Sequence, residues 1–260
     1  MIKIKPNEIH LWFCQNESIN NTRTIRQYQN VLSQDERIKQ VQFYFEEHRH
    51  QYLVTRALLR TTLSLYSDSY VKPEDWIFQV NPYGKPYIES PPLSYTPFFN
   101  LSHTKGMIVL AIAPEPIMGV DIEWATRQGN IVQLAEHCFS PSEIADLLKL
   151  PYSEQINRFY ELWTLKEAYI KACGMGLSIP LDSFSYHFPM HNRVNISFSE
   201  SREDQSSLWQ FWQLNASPDH KVAIAIKPQN NNRFARLVYR KVIPFENMQL
   251  FAIDPYRQSI

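Results

Sequence analysis

Asp121 and Glu123 stand two residues apart in the stretch Gly119-Val120-Asp121-Ile122-Glu123. On an extended strand this spacing points both carboxylates to one face. Two close negative charges raise each other's pKa unless a cation sits between them. Magnesium suits that position, because it takes one or two carboxylates together with phosphate oxygens of a substrate. The plainer reading of the same spacing is a solvated strand edge. Glu167 lies in RFYELWTLKEAYIKAC with Trp163 one turn before it and Lys171 one turn after, so a helix stacks the three on one face. Phe159, Tyr160, Trp163 and Tyr169 leave that helix few fully wet faces, which makes Glu167 a candidate general base with a tuned pKa. A surface Glu–Lys pair worth about 0.3–0.5 kcal/mol is the alternative. His103, preceded by Ser102, could donate to a phosphate, and Lys85 and Arg49 are further cationic candidates; each alone also fits an ordinary surface role.

The elements that must carry these residues are legible in outline. Residues 8–14 read as a strand, and residues 34–66 as helical from the mixed three- and four-residue spacing of Phe43, Phe45, Tyr52, Leu53, Ala57, Leu58 and Leu59. Asn81-Pro82-Tyr83-Gly84 has the proline and glycine placement of a turn. Phe98–Ser102 and Met107–Ala113 predict a hairpin across His103-Thr104-Lys105-Gly106, and Gly119–Glu123 a further strand. Residues 158–173 predict a helix stopped by Gly174 in a left-handed cap. Leu208–Leu214 and Val222–Ile226 predict a second hairpin. Its sequence, FWQLNASPDHKVAIAIKP, follows the pattern of FFNLSHTKGMIVLAIAP in the first. Helix and hairpin in both halves suggest an α+β fold of two similar α/β subdomains with a cleft between them. No role is read for residues 229–260.

Composition narrows the class. Lys plus Arg and Asp plus Glu each total 26 in 260 residues, a balance with no overall attraction for nucleic acid or an acidic membrane. The first residues lack the apolar core of a signal peptide, and the longest apolar run, Met107–Ala113, is far too short to span a bilayer. Cys14, Cys138 and Cys173 lack metal spacing and read as reduced thiols of a cytoplasmic protein. Only six glycines occur, against roughly 18 expected from average usage. None forms a dinucleotide fingerprint or a phosphate loop, so phosphate handling falls to side chains and metal.

Taken in order, Gly84-Lys85-Pro86, Phe99-Asn100-Leu101-Ser102-His103, Gly119-Val120-Asp121-Ile122-Glu123 and Trp163-Thr164-Leu165-Lys166-Glu167-Ala168-Tyr169-Ile170-Lys171-Ala172, followed by Gly174-Met175-Gly176-Leu177, resemble the Sfp-type 4′-phosphopantetheinyl transferases. The resemblance runs over residues 32–185. It implies a magnesium-dependent enzyme of the holo-acyl-carrier-protein synthase type. Such an enzyme transfers the 4′-phosphopantetheine arm of coenzyme A to a serine of an acyl, polyketide or peptidyl carrier protein, releasing 3′,5′-ADP. It also implies two subdomains in a pseudo-twofold arrangement: residues 1–116 for coenzyme adenine and phosphate contacts, residues 117–260 for the magnesium and base residues. Carried over by position, Asp121, Glu123 and Glu167 hold magnesium, with Asp121, Glu167 and Lys171 catalytic. Arg49, Gly84, Lys85, Pro86, Ser102, His103, Lys166 and Lys171 contact the coenzyme. Relatives often carry an arginine where this chain has Gln51, which leaves the coenzyme's 3′-phosphate to Arg49, Lys39 or Arg56. Glu143 matches a recurrent acid that supports the lysine or the base. Apolar residues between Ile131 and Tyr152, Phe139 and Leu148 among them, are expected to face the carrier. An internally paired chain is expected to be a monomer, with no nucleic-acid or membrane partner. The competing readings are another magnesium-dependent phosphoryl-transfer enzyme using three carboxylates, and a non-catalytic carrier-protein or coenzyme A-binding module. Loss of an acid would favour the module, and all three acids are present.

Overall fold

The computed structural model describes residues 1–67, 71–92, 97–126, 131–229 and 236–259; Gly129 falls outside them. In chain order the elements are β1 (Glu8–Cys14), α1 (Thr22–Val31), α2 (Gln34–Gln42), α3 (Glu46–Ser64), β2 (Ile77–Val80), β3 (Pro86–Ser90), β4 (Phe98–Thr104), β5 (Met107–Ala113), β6 (Met118–Trp124), α4 (Ile131–Cys138), α5 (Pro141–Lys149), α6 (Tyr152–Cys173), β7 (Phe184–His187), β8 (Asn195–Phe198), β9 (Gln210–Ser217), β10 (His220–Ile226), β11 (Arg236–Ile243), β12 (Asn247–Phe251) and β13 (Arg257–Gln258). The fold is mixed α+β. It divides into two compact units, one made of Met1–Asn81, Pro86–Pro114 and Ala235–Ala252, the other of Pro82–Lys85, Glu115–Phe234 and Ile253–Ile260. Among the described residues no helix is long and apolar enough to cross a membrane.

The first unit is built on a five-stranded sheet in the order β12-β11-β1-β5-β4. Every residue of β1 is buried, as its nearly unbroken apolar sequence requires of a central strand. It pairs antiparallel with β5 and parallel with β11. The late segment to which the sequence gives no role therefore supplies two strands of this sheet. Leu53, Val54, Ala57 and Leu58 of α3 share one core with Trp12, Cys14, Ile108, Leu110 and Ile112 of the sheet. The helix expected over residues 34–66 is two helices, broken at Phe43-Tyr44-Phe45. The break is held locally by Arg49, whose guanidinium donates to the Phe43 and Tyr44 carbonyls of the linking segment, both at 3.0 Å. β2 and β3 form a separate hairpin around the turn that ends in Gly84.

The second unit is a four-stranded antiparallel sheet in the order β13-β9-β10-β6, with β7 and β8 as a separate pair. Helix α6 buries Phe159, Leu162, Leu165, Ala168, Tyr169 and Ala172 in a core shared with Ala223 and Ala225 of β10. It ends as expected: Gly174 takes φ 69°, a left-handed conformation, and its N–H donates to the Ile170 carbonyl at 2.9 Å. Helix α5 starts with a capping box in which Ser140 and Glu143 satisfy each other's backbone N–H groups. Phe139 corrects an expectation. It is 2 % exposed and packs with Phe159 at a centroid distance of 5.2 Å, so it is core and not a carrier-facing residue, whereas Leu148 is 50 % exposed. None of the three cysteines is in a disulfide; Cys14 is buried and the other two are partly buried.

Candidate active site

Strand β6 turns Gly119, Asp121 and Glu123 to the same face, and that face meets α6. The two run antiparallel: Gly119 lies against Ala168 and Ala172, Asp121 against Lys171, and Glu123 against Trp163. Gly119 sets the spacing. A Cβ there would fall 2.1 Å from the Ala168 carbonyl oxygen and 2.5 Å from the Ala172 nitrogen, so any side chain would push helix and strand apart. The acids stand where they do because nothing larger than a hydrogen stands two residues earlier.

Lys171 Nζ donates to Asp121 Oδ1 at 2.6 Å, and the Trp163 indole N–H donates to Glu123 Oε1 at 3.1 Å. Burial, and then the Asp121 charge, push the Glu123 carboxyl up to about 7, with the Trp163 hydrogen bond opposing. Burial and then Asp121 also raise Glu167, with Lys171 opposing. The four titratable groups thus form one electrostatic cluster on the strand–helix face, the Lys171 ammonium with the Asp121, Glu123 and Glu167 carboxylates. Among the described residues no group of three or more His, Cys, Asp or Glu makes a ready-made metal cage. The donor chemistry nevertheless fits magnesium: hard carboxylate oxygens, of which this ion uses only one or two alongside substrate phosphates.

Lys166 is not part of that cluster. It is fully buried, and its ammonium sits 2.9 Å from Glu143 Oε2, 2.6 Å from the Leu181 carbonyl and 2.8 Å from the Phe184 carbonyl. Glu143 in turn accepts from the Ser140 and Tyr186 N–H groups, each at 2.8 Å. Three donor sites and a buried carboxylate are matched there with no route to a phosphate.

The comparisons with known proteins bear on this face directly. Residues 117–226 match the 4′-phosphopantetheinyl transferase superfamily, and residues 20–115 match the N-terminal part of 4′-phosphopantetheinyl transferases. A 4′-phosphopantetheinyl transferase of Bacillus subtilis is 37% identical over 173 residues, 66% of this chain and 74% of the relative. The 4′-phosphopantetheinyl transferase Sfp of Bacillus subtilis (strain 168) is 35% identical over 174 residues, 67% of this chain and 74% of its own. The 4′-phosphopantetheinyl transferase HetI of a Nostoc species is 31% identical over 180 residues, 68% and 73% of the two chains. The chain belongs to the 4′-phosphopantetheinyl transferase family.

The remaining candidates of this transferase are distributed between the units. Gly84 and Lys85 belong to the second, with Asp121, Glu123, Glu167 and Lys171; Arg49, Pro86, Ser102 and His103 belong to the first. Ser102 is buried and His103 exposed near the end of β4. Arg49 is engaged by the Phe43 and Tyr44 carbonyls. A cavity of about 410 Å³ in the first unit is lined by Lys39, Tyr52, Arg56, Arg60 and Phe78. There Arg56 and Arg60 both bond Glu36, Arg60 Nε at 2.8 Å, and both guanidinium groups lie over the Phe78 ring. Sequence reasoning named Lys39 and Arg56 but missed Glu36 and Arg60. The Ser33–Glu36 capping box and the i, i+4 spacing of the arginines were the available signals.

Proposed function

We propose that this transferase moves the 4′-phosphopantetheine arm of coenzyme A to a serine of an acyl, polyketide or peptidyl carrier protein, releasing 3′,5′-ADP, with Asp121, Glu123 and Glu167 holding magnesium. The observation that carries the proposal is the face on which the Lys171 ammonium meets the Asp121, Glu123 and Glu167 carboxylates, the two glutamates raised in pKa. Bound magnesium supplies positive charge to the phosphate oxygens and to the departing 3′,5′-ADP. Glu167, or water held near it, accepts the hydroxyl proton of the carrier serine. The serine oxygen bonds to the phosphorus bearing the pantetheine arm, and the bond from that phosphorus to the 3′,5′-ADP oxygen breaks. Lys171 holds Asp121 in place and offers its charge to the pyrophosphate.

Coenzyme contacts from Arg49, Gly84, Pro86, Ser102 and His103 belong to the same proposal, resting on the motif resemblance; Lys85 is set apart, because its ammonium is bound to the Met118 and Ala172 carbonyls. Lys166 is left out, because its ammonium is saturated inside the core. Of the three candidates, Lys39 is the better holder of the 3′-phosphate, since it lines a cavity while Arg49 is bound to backbone and Arg56 to Glu36. The assignment of coenzyme contacts to residues 1–116 and of magnesium and base residues to 117–260 is also proposed. So is a pseudo-twofold pair of similar subdomains with the active site in their cleft; the helix-and-hairpin plan found in each unit supports it. A cytoplasmic monomer without nucleic-acid or membrane partners is the matching biological setting, supported by the balanced charge.

Intact-protein mass spectrometry of an apo carrier protein with coenzyme A and magnesium is the test. The wild type adds the phosphopantetheine mass, and Asp121→Ala and Glu167→Gln lose on the order of 10²–10⁴-fold in rate. Full activity in either variant overturns the assigned roles, and coenzyme binding by the wild type without turnover favours the non-catalytic module.

A further inference from the structure

Lys85 stands in the Gly-Lys-Pro turn between β2 and β3, where a cation invites assignment to coenzyme phosphate. Its ammonium is instead bound within the second unit, to which Gly84 and Lys85 belong. Nζ donates to the Ala172 carbonyl at 3.0 Å and to the Met118 carbonyl at 3.2 Å. These two acceptors have specific positions. Ala172 is in the last turn of α6, one residue after Lys171, and its carbonyl is one of the four that no helix bond can satisfy. Met118 opens β6, three residues before Asp121. The helix C-terminus also carries the negative end of the helix dipole, which favours a cation there. Burial pushes the Lys85 ammonium down to about 8, in keeping with a side chain that has given up water for protein carbonyls.

We infer that Lys85 is a positioning residue, clamping the end of the base-bearing helix to the start of the acid-bearing strand so that coenzyme held by the Gly84 turn meets Glu167 and Asp121 in fixed register. A second observation bears on the same junction. The two carbonyl-bearing residues flank Gly119, whose missing side chain lets β6 and α6 touch. Gly119 sets how closely the two elements approach; Lys85 ties their ends at that distance. The turn that contacts the coenzyme is thereby joined through one side chain to both elements of the catalytic face.

The inference rests on the transferase reading for its kinetic part and stands apart from it in its structural part, so the experiment has two arms. Amide hydrogen exchange on the coenzyme-free protein compares wild type with Lys85→Met, which keeps the aliphatic stem and removes the donors. Exchange at residues 171–174 is expected to quicken at least fivefold, with the rest of α6 unchanged. Steady-state carrier modification is then expected to show kcat lowered 10- to 100-fold, with the KM for coenzyme A moved less than threefold. Lys85→Gln, which restores neutral N–H donors, should recover most of kcat. A rise in the KM for coenzyme A at unchanged kcat would make Lys85 a phosphate contact and overturn the inference, as would unchanged exchange. An inactive wild type would sink the transferase reading alone, and the exchange arm would still decide the clamp. Should Lys85→Met fail to fold, the exchange and kinetics of Lys85→Gln and Lys85→Ala decide in its place: slow exchange and high kcat in Lys85→Ala would overturn it.

Discussion

Helix α6 presents two lysines five residues apart, each paired with an acid, and they do opposite things. At about 100° per residue the two side chains lie about 140° apart around the helix. Lys166 faces the interior, where Glu143, two backbone carbonyls and the Phe184 ring at 4.2 Å enclose it completely. Lys171 faces β6, keeps 27 % of its side chain exposed, and meets a carboxylate group it can only partly neutralise. A balanced ion pair in the core holds the helix in place; an unbalanced one at a partly open face leaves an appetite for a cation. Charge type is the same for both lysines, and their positions around the helix decide the role.

Breaking each pair should separate stability from activity. Lys166→Met strands a buried carboxylate, and equilibrium denaturation should register a loss of about 3–5 kcal/mol. Lys171→Met, measured with magnesium present to offset the loss of charge beside the buried Asp121, should lose less stability than Lys166→Met, while carrier modification falls at least 10-fold, the scale of a lost charge contact. A Lys171 variant less stable than the Lys166 variant would dissolve the distinction.

A smaller effect concerns pH. Glu123 is raised from the ordinary carboxylate range to about 7, so the folded protein retains a proton that the unfolded chain releases. Its contribution to stability is present in full at acid pH and is lost as pH rises through roughly 4.5 to 7. His10 acts in the other sense: burial, with the Arg240 charge beside it, pushes its imidazole down to about 4, so its contribution is lost as pH falls from about 6.5 to 4. The difference in Tm between wild type and Glu123→Gln therefore isolates the acid. The variant's advantage should grow from pH 4.5 to 7 in metal-free buffer and shrink when magnesium is added. A difference that stays flat with pH would mean the cluster is already neutralised by protein groups alone.

The smallest effect is at the surface expected to face the carrier. Leu148→Asp should raise the KM for the carrier a few-fold with the KM for coenzyme A unchanged, whereas Phe139→Asp should cost stability first, since it places a charge in the core. Equal effects of Leu148→Asp on both KM values would remove Leu148 from carrier recognition.

The acids of β6 and the i, i+4 set Trp163, Glu167 and Lys171 were legible because strand and helix periodicity are local properties. The sequence could also have told Lys166 from Lys171, since five positions separate faces of a helix; reading both as phosphate neighbours ignored the angle. Gly119 was seen as a strand opener, but its contact with α6 depends on a helix some fifty residues away. The same holds for the Lys85 carbonyl contacts and for the Arg49 bonds that hold the break in the helix expected over 34–66. The five-stranded sheet of the first unit was the least legible part: the segment after residue 229 reads as polar and then strand-like, but its parallel pairing with β1 leaves no local signal.

That parallel pairing bears on how the protein is made. On the ribosome β1 (Glu8–Cys14) is made long before its parallel partner β11 (Arg236–Ile243). Until β11 emerges β1 is an open edge, the kind of template that recruits foreign strands. A chain stopped at residue 229 is expected to form oligomers by light scattering where the chain that carries β11 does not. Chaperone demand during synthesis should accordingly depend on the segment that carries β11, far in sequence from the residues that do the chemistry.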